Sequence, residues 1–250
     1  MTSYKPALFE ARSRACFIRA LFGSMFLVAT FLSPFSAYGG NRESARDELK
    51  KMDIPFDADT FLDRIKQGDT GSVDLLLKAG MSPDTKEKSG GGRTGLIFSV
   101  VFGHLDITKL LLAHGADIHA RDSVFHLTPF LWAAQEGETV TMKILAEAGS
   151  DVNDRGINEE TALMLAAANG HVETVKTLLD LGAEVNAKNR FGATALYDAV
   201  RTLRPEVVEA LLKKGADVKV KVNGVTALAK AKRMGRGDLV KMLQSAGARE

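Results

Sequence analysis

The amino-acid sequence repeats itself. The stretch Thr161-Ala-Leu-Met-Leu-Ala-Ala-Ala-Asn-Gly170-His171 is followed by Val175-Lys-Thr-Leu-Leu179 and then by Gly182-Ala-Glu-Val-Asn186. The threonine that opens this unit recurs as Thr94, Thr128, Thr161, Thr194 and Thr226, at steps of 34, 33, 33 and 32 residues. The glycine that closes each unit stands 21 residues later, at Gly115, Gly149, Gly182, Gly215 and Gly247. A degenerate copy precedes these, with Asp59 in the threonine's place and Gly80 at its end. A unit this short cannot bury an apolar face by itself, so the copies must stack and share a core with their neighbours.

The residue types predict a helix–turn–helix in each unit. The opening Thr, or Asp in the first copy, is placed to cap a helix by accepting from a free backbone N–H. Small residues such as Ala133, Ala134, Ala166 and Ala167 allow close helix approach. Gly103, Gly137, Gly170 and Gly235 end the first helix, where the left-handed conformation is cheap only for glycine. The leucine pairs Leu111-Leu112, Leu178-Leu179 and Leu211-Leu212 mark the apolar face of the second helix. The closing Gly-Ala-Asp/Glu turns the chain out into a loop.

This pattern resembles the ankyrin repeat. Thr128-Pro129 followed by Phe130-Leu131-Trp132-Ala133-Ala134 matches its signature, Gly103-His104 and Gly170-His171 match its turn, and Gly115-Ala116-Asp117 and Gly215-Ala216-Asp217 match its closing segment. The resemblance covers about residues 59–250, divided as six repeats: 59–91, 92–125, 126–158, 159–191, 192–223 and 224–250. The first repeat lacks the threonine motif, the fifth has Leu203-Arg204-Pro205 where Gly-His is expected, and the loop before the second is glycine-rich (Gly90 to Gly92). The implied fold is an all-α solenoid of stacked helix pairs with projecting hairpin loops. Residues 40–58, charged and helical over 41–52, read as an N-terminal cap.

The N-terminus has the pattern of an export signal. Lys5, Arg12, Arg14 and Arg19 precede an uncharged run from Ala20 to Leu32, Ser33-Pro34 breaks it, and small residues follow at Ser36, Ala37, Gly39 and Gly40. Cleavage after Gly39 leaves a periplasmic or secreted protein. The alternative is an uncleaved inner-membrane anchor, disfavoured because the run falls short of the roughly 20 apolar residues a spanning helix needs. Residues 1–39 hold a net +3 of the chain's +2, so the remainder is close to neutral at −1, which argues against nucleic acid or an anionic membrane as partner. The chain's one cysteine, Cys16, belongs to the same segment. Disulfides and cysteine-based metal sites are therefore excluded from the remainder.

Chemistry of other kinds finds no foothold. His104 and His171 belong to the turn motif, His126 to a loop tip, and His114 and His119 flank Asp117 without a third ligand. The glycine run lacks the Lys-Ser/Thr of a phosphate loop. The sequence thus predicts neither cofactor, metal nor catalytic group. It predicts instead a monomer that binds a protein on the concave face that the resemblance implies. On that face the register puts Phe98, Phe102, Trp132 and Leu165 of the first helices, with Phe125, Ile157 and Phe191 at the loop tips. Asp63, Arg93, Glu136, Arg190, Asp198 and Arg201 are the neighbouring charges expected to set register. An adaptor, scaffold or inhibitor fits this reading, with a secreted effector or an accessory that protects a periplasmic enzyme as alternatives.

Overall fold

Thr94 Oγ1 accepts from the backbone N–H of Ile97 at 3.3 Å, and Thr128, Thr161, Thr194 and Thr226 each cap a helix in the same way. These caps start the first helix of five successive hairpins in the computed structural model, which describes residues 39–88 and 90–249. After α1 (Gly39–Lys51), the helix pairs are α2 (Ala58–Gln67) with α3 (Thr70–Lys78), α4 (Gly95–Val101) with α5 (Leu105–Ala113), and α6 (Pro129–Glu136) with α7 (Thr139–Glu147). Then come α8 (Ala162–Asn169) with α9 (Val172–Asp180), α10 (Ala195–Arg201) with α11 (Pro205–Lys213), and α12 (Ala227–Arg233) with α13 (Gly237–Ser245). The strands β1 (Lys221–Val222) and β2 (Val225–Thr226) pair antiparallel in the last projecting loop.

The first helices stack in the order α2, α4, α6, α8, α10, α12, and the second helices form a parallel layer that begins with α1 against α3. The core runs between the layers. In it Leu96, Phe130, Leu163, Leu196 and Leu228 occupy equivalent positions, each at most 1% exposed. Ala45 and Leu49 of α1 are buried, and Arg46 Nε donates to the carbonyl of Ala79 at 3.2 Å. The N-terminal helix therefore extends the second-helix layer and leaves the opposite, first-helix face uncovered by that contact.

The turn glycines have two reasons to be glycine. Gly137 has φ +78°, and a Cβ built there would lie 2.6 Å from the His171 ring of the next repeat. That ring bonds back to the Gln135 carbonyl at 2.9 Å, as His104 bonds to the Lys66 carbonyl at 3.1 Å. In the fifth repeat Arg204 takes the histidine's place against Gly170, and Leu203 is left to adopt φ +62°. In the first repeat the cap is Asp57, which accepts from Thr60 N–H at 2.8 Å; Asp59, expected to cap, is instead in the first turn of α2. Residues 1–38, and with them nearly all of the expected export signal, lie outside the described residues. No helix among the described residues is long and apolar enough to cross a membrane.

Candidate functional site

The loops between repeats project as fingers, and the fingers are tied together. Ser123 N–H donates to the Gly91 carbonyl at 2.6 Å, Ile157 N–H to the Phe125 carbonyl at 3.0 Å, and Arg190 N–H to the Asn158 carbonyl at 2.9 Å. Two arginines reinforce this ladder. Arg121 donates to the carbonyls of His126 and Arg155 and pairs with Asp154 at 2.6 Å. Arg155 donates to the Lys188 carbonyl at 3.0 Å. Neighbouring tips are thus held in one continuous edge.

Three of the five fingers have an anchor at the seventh residue beyond the closing glycine, Glu87, Asp122 and Asn189; the other two have Gly156 and Val222 there. Asp122 is buried, and its carboxylate accepts from the backbone N–H groups of Val124 (2.9 Å), Phe125 (2.7 Å) and Leu127 (3.0 Å) and from Trp132 Nε1–H (3.0 Å). Burial pushes its pKa up, but the bonds from Phe125, Leu127, Val124 and Trp132 outweigh burial and hold it below the ordinary carboxylate value. Asn189 does the same with one oxygen, accepting from Phe191 and Ala193 N–H at 3.0 Å each. Glu87 Oε1 accepts from Gly91 and Arg93 N–H. Sequence reasoning passed over this position; the signal was an acceptor side chain at the same distance from three of the closing glycines, Gly80, Gly115 and Gly182.

The fingers present apolar tips to solvent. Phe125, Ile157 and Phe191 are 48%, 47% and 60% exposed, and Val124, which the sequence did not single out, joins them. Phe102, at the end of α4, is 49% exposed and stacks at 6.3 Å on His104. Glu136 and Arg190 are exposed, with the Arg190 guanidinium 5.6 Å from the Phe191 ring centroid.

Phe98 and Trp132 are placed differently from the expectation. Each is only 4% exposed. The first helices are packed against neighbours on both sides and against a second helix behind, so α6 buries every residue from Pro129 to Ala134. The remaining side is roofed by the preceding repeat: Arg93 lies 4.5 Å over the Trp132 ring, and Lys66 lies 4.8 Å over Phe98. Phe125 closes the edge of Trp132 at 6.3 Å. Leu165 is half-buried. Asp198, expected as an exposed charge, is buried and engaged by Arg201, whose Nη2 is 3.0 Å away. Burial raises the Asp198 pKa against the lowering effect of Arg201. Arg201 itself is exposed but committed to that pair. No group of three or more His, Cys, Asp or Glu among the described residues is arranged to hold a metal.

Stacked helix pairs carrying a tied row of fingers define a repeat solenoid that offers an extended binding surface. A family model described as ankyrin repeats in three copies matches residues 117–189 and 182–249, and a single-repeat model matches residues 91–123. The chain belongs to the ankyrin-repeat family, whose members serve as protein–protein interaction modules and are in general non-catalytic.

It is similar to Protein phosphatase 1 regulatory subunit 27 of Mus musculus, 36% identical over 120 residues that span 46% of this chain and 76% of that one. A putative ankyrin repeat-containing protein of Treponema pallidum is 31% identical over 121 residues, spanning 48% of this chain and 40% of its relative. Among solved structures, an ankyrin repeat domain from Acinetobacter baumannii AYE superposes with a TM-score of 0.69 at 29% identity, covering 77% of this chain and 100% of that one.

Proposed function

We propose that this chain is an exported, non-catalytic binding protein that holds a protein partner on its finger edge and the adjoining concave face. One observation carries the reading. Phe125, Ile157 and Phe191 expose about half of their surface on fingers whose backbones are locked to one another. Apolar side chains held out in fixed positions lose little freedom when a partner covers them, which is what a high-affinity surface needs. Export rests on the basic, apolar and small-residue succession at the N-terminus, and it would place the partner in the periplasm or outside the cell. The likeness to a protein named as a phosphatase regulatory subunit supports an enzyme as one kind of partner, which this chain would regulate.

The test is affinity capture from the envelope fraction of the native host, with the Phe125→Ala/Phe191→Ala double variant as control. A partner captured by the parent chain and lost by the variant supports the reading. A partner held equally by both would remove the finger edge from the account. Recovery of the full-length chain from the cytosol, unprocessed, would remove export.

A further inference from the structure

The arginines of the finger region differ in how they are used. Arg121 is paired with Asp154, Arg155 with Glu159 and Glu184, and Arg201 with Asp198. Arg93 has no such partner. Among the described residues no carboxylate lies within ion-pair distance of its guanidinium, and its Nε is buried without a hydrogen-bond acceptor. The nearby Glu87 directs Oε1 to the backbone N–H groups of Gly91 and Arg93 instead. Arg93 is nevertheless held in place, over the Trp132 ring.

We infer that Arg93, set on Trp132, is a receptor for a carboxylate of the protein partner, so that the partner's contact segment combines acidic with apolar side chains; this rests on the binding role proposed above for the finger edge. A guanidinium stacked on an aromatic ring keeps its N–H edges in plane and free, the geometry that grips a carboxylate with two parallel bonds. Its Nε is buried and out of an incoming acceptor's reach, so the end-on pair Nη1 and Nη2 is the edge that takes the carboxylate. One guanidinium carries one charge, which suits a carboxylate; phosphate recognition draws on clusters of arginines.

Arg190 repeats the arrangement three repeats further on. It stacks near Phe191, donates to Asn158 Oδ1 at 3.2 Å, and has no carboxylate partner among the described residues. Stacked helices stand about 8–10 Å apart, so the two arginines are separated by roughly 24–30 Å. An extended segment covers that span in about eight residues. Between the arginines it would meet Phe125 and Ile157. The complementary partner segment therefore reads acidic, apolar, acidic.

The experiment is selection from a random dodecapeptide display library on the purified chain. Selected peptides should pair Asp or Glu with Leu, Ile or aromatic residues. Their affinity should fall about tenfold or more for Arg93→Gln, equivalent to roughly 1.4 kcal/mol. Arg190→Gln, at an exposed tip, tests the same chemistry independently of any folding defect at residue 93. Binding should also change the fluorescence of Trp132, the chain's one tryptophan, and the change should vanish when the peptide's acids become amides. Peptides without acids, or acidic peptides whose binding survives both arginine variants, overturn the inference. If those peptides still require Phe125 and Phe191, the finger edge stands and only the carboxylate receptor falls. If they require neither, or if no peptide is selected, both fall.

Discussion

Replacing Asp122 by Asn alters one atom in the anchor of the finger that carries Phe125. In the native loop, Oδ1 accepts from Val124 and Phe125 N–H, and Oδ2 accepts from Leu127 N–H and Trp132 Nε1–H. An asparagine keeps one oxygen and turns an NH2 toward the other two donors. Asn189 manages with an amide because only its Oδ1 is used. At Asp122 two bonds to a charged acceptor are lost, each worth about 1.5–3 kcal/mol, and rotation or water recovers part of this. The expected cost is about 2–4 kcal/mol. Urea unfolding followed by Trp132 fluorescence measures it at the affected repeat, and circular dichroism measures it for the whole array.

Two further results must agree with that figure. In a Trp132→Phe background one of the two opposed donors is gone, so Asp122→Asn should cost about 1–2 kcal/mol less there. The native Asp122 pKa is held below its unfolded value of about 3.9, so the carboxylate's contribution is complete above about pH 4 and is lost as pH falls through the folded value. The gap between parent and variant should therefore narrow only in acid. A cost below about 0.5 kcal/mol at neutral pH, or no coupling to Trp132, would refute the anchoring argument.

Asp198→Asn should stabilise the chain at neutral pH, because burial raises the native pKa; the advantage should disappear as pH falls below about 4, where the unfolded and folded carboxyls are both protonated, and a pH series of melting temperatures checks this. Gly137→Ala forces a side chain to φ +78° and into the His171 ring, and should cost about 2–4 kcal/mol in urea unfolding. Leu203→Gly relieves φ +62° in a partly exposed residue and should be neutral or stabilising by up to about 1 kcal/mol, the opposite sign from the usual loss of a leucine. Phe191→Ala should leave stability within about 0.5 kcal/mol while weakening partner binding, because its ring is 60% exposed.

The repeat spacing made the solenoid legible, since a threonine cap and a closing glycine at fixed separation leave few other ways to fold. The exposed tips were legible for the same reason: Phe125, Ile157 and Phe191 fall in the loops between units, where no neighbour covers them. Phe98 and Trp132 were not. An amphipathic reading assigns a helix one buried stripe, whereas α4 and α6 are enclosed on three sides and roofed by Lys66 and Arg93 from the preceding repeat. That roof is a contact between units and has no trace in the periodicity of either one. Asp122 escaped notice because its partners are backbone groups and a ring nitrogen ten residues away, which no spacing rule brings together.

The most direct test of the binding face is site-specific photocrosslinking in the native host, with the reactive residue placed at Phe191, at Ile157, and at Lys143 on the exposed side of α7. The account predicts one protein adduct from Phe191 and Ile157 and none from Lys143. An adduct from Lys143 alone would move the partner to the second-helix layer and contradict the finger edge as the site of binding.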